Sequence, residues 1–295
     1  MSGYIHDPLQ IINLIADNIR DRYKTGFSVI KEIIQNADDS GSGNFEIDKI
    51  SVEFGLSPGL PESDHPLLKG SSLFFFNNGN FSQSDAVAIR SFGLNRKAID
   101  EATIGKFGLG MKSVFHFCEA FFFMAHDQGR DYAEILNPWS GPAEFASLHT
   151  EWDNFKERDA TLLKSHLSDI VGSYQGSGTS WFLLWLPLRS IKHIENNGHK
   201  IGTIVAEFPG DDHSRLSFLR SQQISKRLAR LLPLLRRIVS IRFWEYSERS
   251  ASFESVYRFQ WTPPKLERNI QKLQMIYLRV ESSLAEIIKQ APIIR

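Results

Sequence analysis

The chain has a single cysteine, Cys118, among its 295 residues. An internal disulfide, a cysteine-based zinc site and a CxxC redox motif are therefore excluded. Long hydrophobic runs are also lacking, since the longest, at 73–76 and 120–125, are far shorter than the ~20 residues of a membrane helix. The first ten residues have no basic segment followed by an apolar one, so we expect no secretory signal. These absences predict a soluble, intracellular, cytoplasmic protein that contacts no membrane.

The chain as a whole has no net charge, but its two parts carry net charges of opposite sign. The 34 Lys and Arg residues balance the 34 Asp and Glu residues. Residues 1–190 hold 16 basic and 24 acidic side chains, whereas residues 191–295 hold 18 and 10. This asymmetry predicts an acidic domain over 1–190 and a basic segment over 191–295. The basic region at 220–242 could bind an acidic protein partner or a nucleic acid.

Hydrophobic periodicity predicts interleaved helices and strands. We expect helices at residues 8–23, 27–39, 82–92, 111–119, 214–236 and 265–290. We expect strands at residues 50–54, 72–76, 120–127, 131–136, 179–189, 238–246 and 254–261. Residues 137–178 show no clear period. Because a regular βαβ alternation is missing, the pattern favours a two-layer α/β sandwich with a smaller C-terminal α/β segment.

The helix predicted at 27–39 has a polar stripe beside its apolar face. Glu32, Asn36 and Asp39 stand at positions i, i+4 and i+7, so they share one flank of the helix. Asparagine offers Mg²⁺ a neutral oxygen, glutamate can take a proton from water, and aspartate can orient a ligand. The solvated edge of an ordinary amphipathic helix would have the same composition, so both interpretations stay open here.

Three further segments have glycine or small polar residues at the ends of predicted elements. Gly105-Lys106-Phe107-Gly108-Leu109-Gly110 stands just before a helix, where free N–H groups and the helix dipole attract anions. Its GxxGxG spacing matches neither the dinucleotide fingerprint nor the P-loop. Asn77-Asn78-Gly79 follows the strand at 72–76, and Thr179 opens the strand at 179–189. Each of these segments is common in proteins of many functions.

Taken in order, the four segments resemble the GHKL or Bergerat-fold ATPases, which include gyrase B, Hsp90-type chaperones and histidine kinases. The sequences EIIQNADD, NNG, IGKFGLGMKS and GTSWFLLWLPLR carry the resemblance, which covers roughly residues 25–190. The pattern is most similar to the ATP-binding domains of sacsin-type, heat-shock-chaperone-like proteins. The resemblance implies the Bergerat α/β sandwich and a site for ATP and Mg²⁺.

The resemblance also implies roles for individual residues. Glu32 matches the general base that activates water, Asn36 matches the Mg²⁺ ligand, and Asp39 lies beside the nucleotide. The segment from Gly105 to Gly110 matches the end of a mobile lid, which would span residues 80–104 and include Lys97. Lys112 could reach a phosphate, and Thr179 matches a hydroxyl that supports the adenine-binding carboxylate.

One position departs from the family pattern. The second motif of the family is D-x-G, in which the aspartate accepts a hydrogen bond from the adenine amino group, whereas this chain has Asn77, Asn78 and Gly79 there. In either register no carboxylate is present. Since an amide oxygen makes a neutral and weaker bond, we expect ATP to be preferred to GTP by a reduced margin.

The expected function is therefore a slow Mg²⁺-dependent ATPase that acts as a nucleotide-driven conformational switch, chaperone-like or part of a larger assembly. The alternative is a nucleotide-binding switch or scaffold with little or no hydrolysis. A histidine kinase is disfavoured because only about 30 residues precede the first motif. The basic segment would supply a cation for the γ-phosphate, from Arg215, Arg220 or Lys226, and ATP could promote a dimer.

Overall fold

The computed structural model describes residues 13, 15–17, 26–40, 49–90, 111–138, 156–174, 180–189 and 217–261. The chain divides into two compact units, Met1–Trp261 and Thr262–Arg295. The described residues all belong to the first unit. The helix predicted at 265–290 therefore lies outside the described residues.

Helices and strands alternate irregularly along the first unit. The helices are α1 (Gly26–Asp38), α2 (Pro66–Lys69), α3 (Gln83–Arg90), α4 (Glu157–Tyr174) and α5 (Gln222–Leu231), with 3-10 helices at Met111–His116 and Leu232–Leu234. The strands are β1 (Ile50–Ser57), β2 (Ser72–Asn77), β3 (Phe121–Asp127), β4 (Arg130–Leu136), β5 (Trp181–Pro187), β6 (Ile238–Ser247) and β7 (Ser252–Gln260). Residues 13 and 15–17 are also helical, within the helix predicted at 8–23.

The seven strands form one mixed sheet in the order β4-β3-β5-β2-β1-β6-β7. All neighbours are antiparallel except β1 and β6, which run parallel. The central strands β2 and β5 are buried along their whole length, whereas the outer strands β4 and β7 alternate between exposed and half-buried residues. The Phe-rich segment at 74–76 is therefore buried on both faces of the sheet.

Each face of the sheet has its own hydrophobic core. On one face, α1 packs its apolar stripe, Val29, Ile30, Ile33, Ile34 and Ala37, against side chains such as Val52 and Phe75. On the other face, Phe74 and Trp185 lie in a core with residues of α4 such as Leu167 and Ile170. This arrangement confirms the predicted α/β sandwich and adds a helix on the second face.

Two features differ from the sequence predictions. The segment 137–178, for which no period was evident, contains the 18-residue helix α4. Its buried apolar residues do recur at helical spacing, but serine and charged residues lie between them; they are Leu163, Leu167, Ile170 and Val171. The helix predicted at 111–119 is a six-residue 3-10 helix, because the chain turns into β3 after it.

The sheet continues beyond residue 190, where the sequence predicted a domain boundary. Strand β6 pairs with β1 from Ile50 to Leu56, and β7 pairs with β6. Residues 238–260 therefore complete the sheet that carries the predicted ATP-binding motifs. A separate transducer-like role for residues 191–295 stays a prediction.

Candidate functional site

Helix α1 presents the predicted polar stripe at the edge of its buried face. Glu32, Asn36 and Asp39 are all half-buried, and Asp39 follows the last residue of the helix. Neither Glu32 nor Asn36 makes a side-chain hydrogen bond within the part of the chain that the structure describes. The packed helix thus fixes the backbone of both residues, while their side-chain polar atoms have no described hydrogen-bond partner.

The carboxyl group of Glu32 has an altered acidity. Burial raises its pKa above the ordinary value, the charge of Lys31 opposes the rise, and the charge of Asp39 adds to it. A raised pKa makes a carboxylate a stronger base, because its ionised form is poorly solvated. Such a shift increases the ability of a carboxylate to accept a proton from water.

Asp39 has an unsatisfied acceptor. Its Oδ2 atom is buried and accepts no hydrogen bond from any described residue. Buried carboxylate oxygens without a partner are rare in folded proteins, because desolvation of the charge is costly. The oxygen therefore suits a donor or a cation that a ligand would bring.

The Asn77-Asn78-Gly79 turn lies at the end of β2, on the side of the sheet that α1 covers. Asn77 pairs with Val52 of β1 and with Phe182 of β5, so it ends a strand in the middle of the sheet. The Oδ1 atom of Asn77 accepts a hydrogen bond from the backbone N–H of Gly79 at 3.0 Å. Asn78 points away, and its Oδ1 accepts from the N–H of Ser51 at 2.7 Å.

A contact between two loops brings the turn and the end of α1 together. The N–H of Asn80 donates to the carbonyl of Ser40 at 3.1 Å, and the Ser40 hydroxyl donates to the carbonyl of Ala37. A Cβ atom on Gly79 would lie 2.0 Å from the Ser40 Oγ, so only glycine fits here without a shift. The structure thus joins the first two predicted motifs at Asp39–Ser40 and Asn77–Asn80.

Asp38 and Ser40 belong to this arrangement, although the sequence analysis did not select them. The buried carboxylate of Asp38 accepts hydrogen bonds from the backbone N–H groups of Arg236, Arg237 and Ile238 at 2.7–3.0 Å. The end of α1 is therefore fixed to the start of β6. The doubled aspartate in the motif NADD was the available signal, since two adjacent carboxylates on a helix point to different sides.

Lys112 lies at the C-terminus of α3. Its ammonium group is buried and donates to the carbonyls of Ala88 at 3.0 Å and Ile89 at 2.7 Å. Burial lowers its pKa to about 8. The structure thus places Lys112 against the helix end that precedes the predicted Gly-rich segment, and its predicted phosphate contact stays a prediction.

A buried arginine holds the 3-10 helix that follows the Gly-rich segment. Arg189 pairs with Glu119, and both side chains are completely buried. The Arg189 guanidinium also donates to the carbonyls of Phe115 at 2.8 Å and Cys118 at 3.1 Å. The pair fixes the end of this 3-10 helix to the end of β5.

The remaining predicted residues lie outside the described part of the chain. These residues are Lys97, Gly105, Lys106, Phe107, Gly108, Leu109, Gly110 and Thr179. The described neighbour of Thr179, Ser180, stands just before β5, whose first residues pair beside Asn77.

The predicted basic region contacts α1 near both of its ends. The guanidinium of Arg227 lies 5.2 Å from the ring centre of Phe27, and Arg237 donates to the carbonyl of Asp38. Arg220 pairs with Glu245, and Lys226 donates to Gln222 on its own helix. Arg215, another predicted γ-phosphate contact, lies outside the described residues.

The donor set on α1 is chemically suited to Mg²⁺ held together with phosphates. No group of three or more His, Cys, Asp or Glu side chains within the described ranges could hold a metal by itself. Mg²⁺ usually takes one or two protein oxygens and completes its shell with water and substrate phosphates. Asn36 and the unsatisfied Oδ2 of Asp39 fit that requirement.

No helix among the described residues is long and apolar enough to cross a membrane.

Comparison with known proteins gives two results. The family described as Sacsin domain matches residues 10–258. Human Sacsin is 27% identical over 228 residues, an alignment that covers 72% of this chain and 5% of human Sacsin. The chain therefore corresponds to a small part of that relative, and the matched region includes every predicted site residue.

Proposed function

The chain belongs to the Sacsin domain family and is therefore a sacsin-type, ATPase-related module. From this premise we propose that it binds a nucleoside triphosphate together with Mg²⁺ and hydrolyses it slowly. ATP is the nucleotide that the resemblance to GHKL ATPases implies. Nucleotide binding would change the conformation of residues 80–104, which would act as a lid. The module would serve a chaperone-like protein or a larger assembly.

The half-buried Glu32 is the observation that supports hydrolysis. Its pKa is raised by burial, and its oxygens are not bound by any described residue. A carboxylate with this acidity can accept a proton from a water molecule that attacks a phosphate. An ordinary solvated surface glutamate would not show the raised pKa.

The other residues of the stripe would bind and orient the phosphates. Mg²⁺ supplies charge neutralisation of the phosphate oxygens when it is bound. Asn36 would offer its amide oxygen to the metal, and Asp39 would orient a ligand through Oδ2. The Ser40–Asn80 contact would keep the base-binding turn at a fixed distance from this stripe.

A nucleotide-binding switch without useful hydrolysis is the second candidate. The observation that favours it is Asn77, since the family pattern has a carboxylate at that position. A weakly held base would leave the γ-phosphate poorly aligned with Glu32, which would slow hydrolysis. This candidate predicts nucleotide binding with no measurable turnover.

We further propose that the module works with partners. The exposed basic side chains of α5, such as Lys226 and Arg230, could contact an acidic protein or a nucleic acid, and a nucleotide could promote dimerisation. Gel filtration with and without nucleotide would reveal a dimer.

Binding of the Mg²⁺–nucleotide complex tests the assignment of Asn36. Asn36→Ala should weaken calorimetric binding of Mg²⁺–nucleotide about tenfold or more, because it removes the protein's proposed oxygen ligand. Gln35→Ala, on the next residue of the same helix, is the control and should bind like the parent. Equal binding by Asn36→Ala and the parent, with circular dichroism unchanged, would remove Asn36 from the site.

A further inference from the structure

Helix α5 has a buried apolar side and an exposed basic side. Ile224, Leu228 and Leu231 lie in the same hydrophobic core as the apolar stripe of α1. Lys226 and Arg230 are exposed and stand one helical turn apart. Residues 217–244, which include α5, contain seven Lys and Arg residues and no Asp or Glu. The positive charge of the exposed side is therefore not balanced by neighbours in the sequence.

The fold uses some of these cations and leaves others without an acidic partner. Four arginines each contact an acidic side chain, a backbone carbonyl or an aromatic ring: Arg220, Arg227, Arg237 and Arg242. Lys226, by contrast, donates to the neutral side chain of Gln222. Arg230 makes no hydrogen bond or ion pair with any residue that the structure describes. Lys226 and Arg230 therefore carry charges that a partner could neutralise.

The most exposed large apolar side chain of the described residues stands just after this helix. Leu234 is 76% exposed, whereas the next, Val256, is 41% exposed. It ends the 3-10 helix that follows α5 directly, and the residues Leu232 and Leu235 on either side of it are buried. Pro233 restricts the backbone of this turn. The fold therefore holds Leu234 in solvent about one turn beyond Arg230.

The composition of this surface favours a protein partner over a nucleic acid or a membrane. Residues 222–236 contain no aromatic side chain on which a base could stack. Phosphates would neutralise the cations but would leave Leu234 in water. A lipid surface requires a broad apolar face, whereas Leu234 is the one exposed large apolar side chain within residues 217–236. An acidic protein segment with an apolar side chain matches both features.

We propose that the exposed side of α5, together with Leu234, is a docking surface for an acidic segment of another protein that carries a large apolar side chain. Carboxylates of the segment pair with Lys226 and Arg230, and its apolar side chain covers Leu234. Such complementarity of charge speeds the encounter and fixes the orientation of the partner. The docking does not depend on nucleotide hydrolysis, because the residues proposed for hydrolysis lie on α1.

Selection of short peptides from a random displayed library on the immobilised full chain tests the proposal. We expect the selected peptides to combine acidic residues with a large apolar residue. A synthetic copy of the most frequent peptide should bind in calorimetry, and more weakly as the salt concentration rises. Arg230→Glu and Leu234→Ser should each weaken this binding about tenfold or more, as expected for side chains at the centre of an interface.

Lys164→Glu and Ile135→Ser are the matched controls. Both positions are exposed, Lys164 on α4 at the other face of the sheet and Ile135 on the outer strand β4. Both variants should bind the peptide like the parent.

Three results would overturn the inference and leave the proposed nucleotide chemistry intact. The first is a selection that yields no peptide, or only peptides without acidic residues. The second is equal peptide binding by Leu234→Ser and the parent. The third is binding of a single-stranded oligonucleotide, or self-association in gel filtration, that Arg230→Glu abolishes while the selected peptide does not compete; the surface would then serve a nucleic acid or a second copy of the chain.

Discussion

Glu32 is a residue whose burial opposes the stability of the fold at neutral pH. Burial raises the pKa of its carboxyl group, the charge of Lys31 lowers it in part, and the charge of Asp39 raises it further. The folded protein therefore binds the Glu32 proton more tightly than the unfolded chain does. The stabilisation from this difference is complete below the ordinary pKa of 4.5 and is lost as the pH rises through the raised pKa.

Glu32→Gln should consequently stabilise the fold at neutral pH. The amide removes the cost of a half-buried charge, so the free energy of unfolding in urea should exceed that of the parent at pH 7–8. The difference should shrink as the pH falls and vanish below about pH 4, where both side chains are neutral. A Gln variant equal to or less stable than the parent at every pH would show that burial of Glu32 has no such cost.

For single residues, the sequence predicts which side chains lie on one face of a helix better than it predicts how their atoms are oriented. The positions of Glu32, Asn36 and Asp39 on one flank followed from helical periodicity, and the structure has them there. The orientation of the Asn77 amide could not be predicted, because it depends on a hydrogen bond to Gly79 and on the packing of Ser40. The role of Asp38 was hidden as well, since its partners lie about 200 residues later in the chain.

Among the elements, the 3-10 helix at Met111–His116 is contacted by one buried charged side chain, Arg189. The Arg189 guanidinium pairs with Glu119 and donates to carbonyls at the end of that helix, entirely out of contact with solvent. The sequence predicted a longer helix here, because a glycine-rich start and an apolar run resemble an α-helix. The buried ion pair between Glu119 and a residue after β5 is not visible in local periodicity.

Arg189→Met should therefore destabilise the protein strongly. Loss of the guanidinium leaves the Glu119 carboxylate buried without its countercharge, which typically costs about 3–5 kcal/mol. Urea unfolding would measure the change, and Arg189→Met/Glu119→Leu should recover part of it.

The exposed pair of Arg90 and Glu134 offers a matched control for this change. Arg90→Met should alter the unfolding free energy by less than about 1 kcal/mol, because solvent screens the pair. If Arg189→Met costs no more than Arg90→Met, the buried pair does not hold the 3-10 helix.

At the scale of the whole molecule, strands from the C-terminal basic region belong to the same sheet on which α1, with the first predicted motif, packs. Strand β6 lies between β1 and β7, and the Asp38 carboxylate binds the three residues at its start. The α/β sandwich itself followed from the sequence. Membership of β6 and β7 in the same sheet did not, because parallel pairing across about 190 residues, as between Val52 and Ile241, has no local signature.

Truncation tests whether the sheet requires the strands that follow residue 190. A fragment of residues 1–190 would leave β1 as an unpaired edge and expose the side chains that pack on Ile241 and Phe243. We expect it to aggregate or to unfold without a cooperative transition, while a fragment of residues 1–261 unfolds cooperatively. A cooperative urea transition for residues 1–190 would instead support an independent domain that ends at residue 190.

The central claim, that Glu32 activates water for nucleotide hydrolysis, is tested most directly by phosphate release. The parent, Glu32→Ala and the control Lys31→Ala should be compared with saturating ATP and with saturating GTP, in the presence of Mg²⁺. The account predicts slow turnover by the parent and by Lys31→Ala, and a loss of about 10²- to 10⁴-fold in Glu32→Ala with nucleotide binding retained. Equal phosphate release by Glu32→Ala and the parent would contradict it.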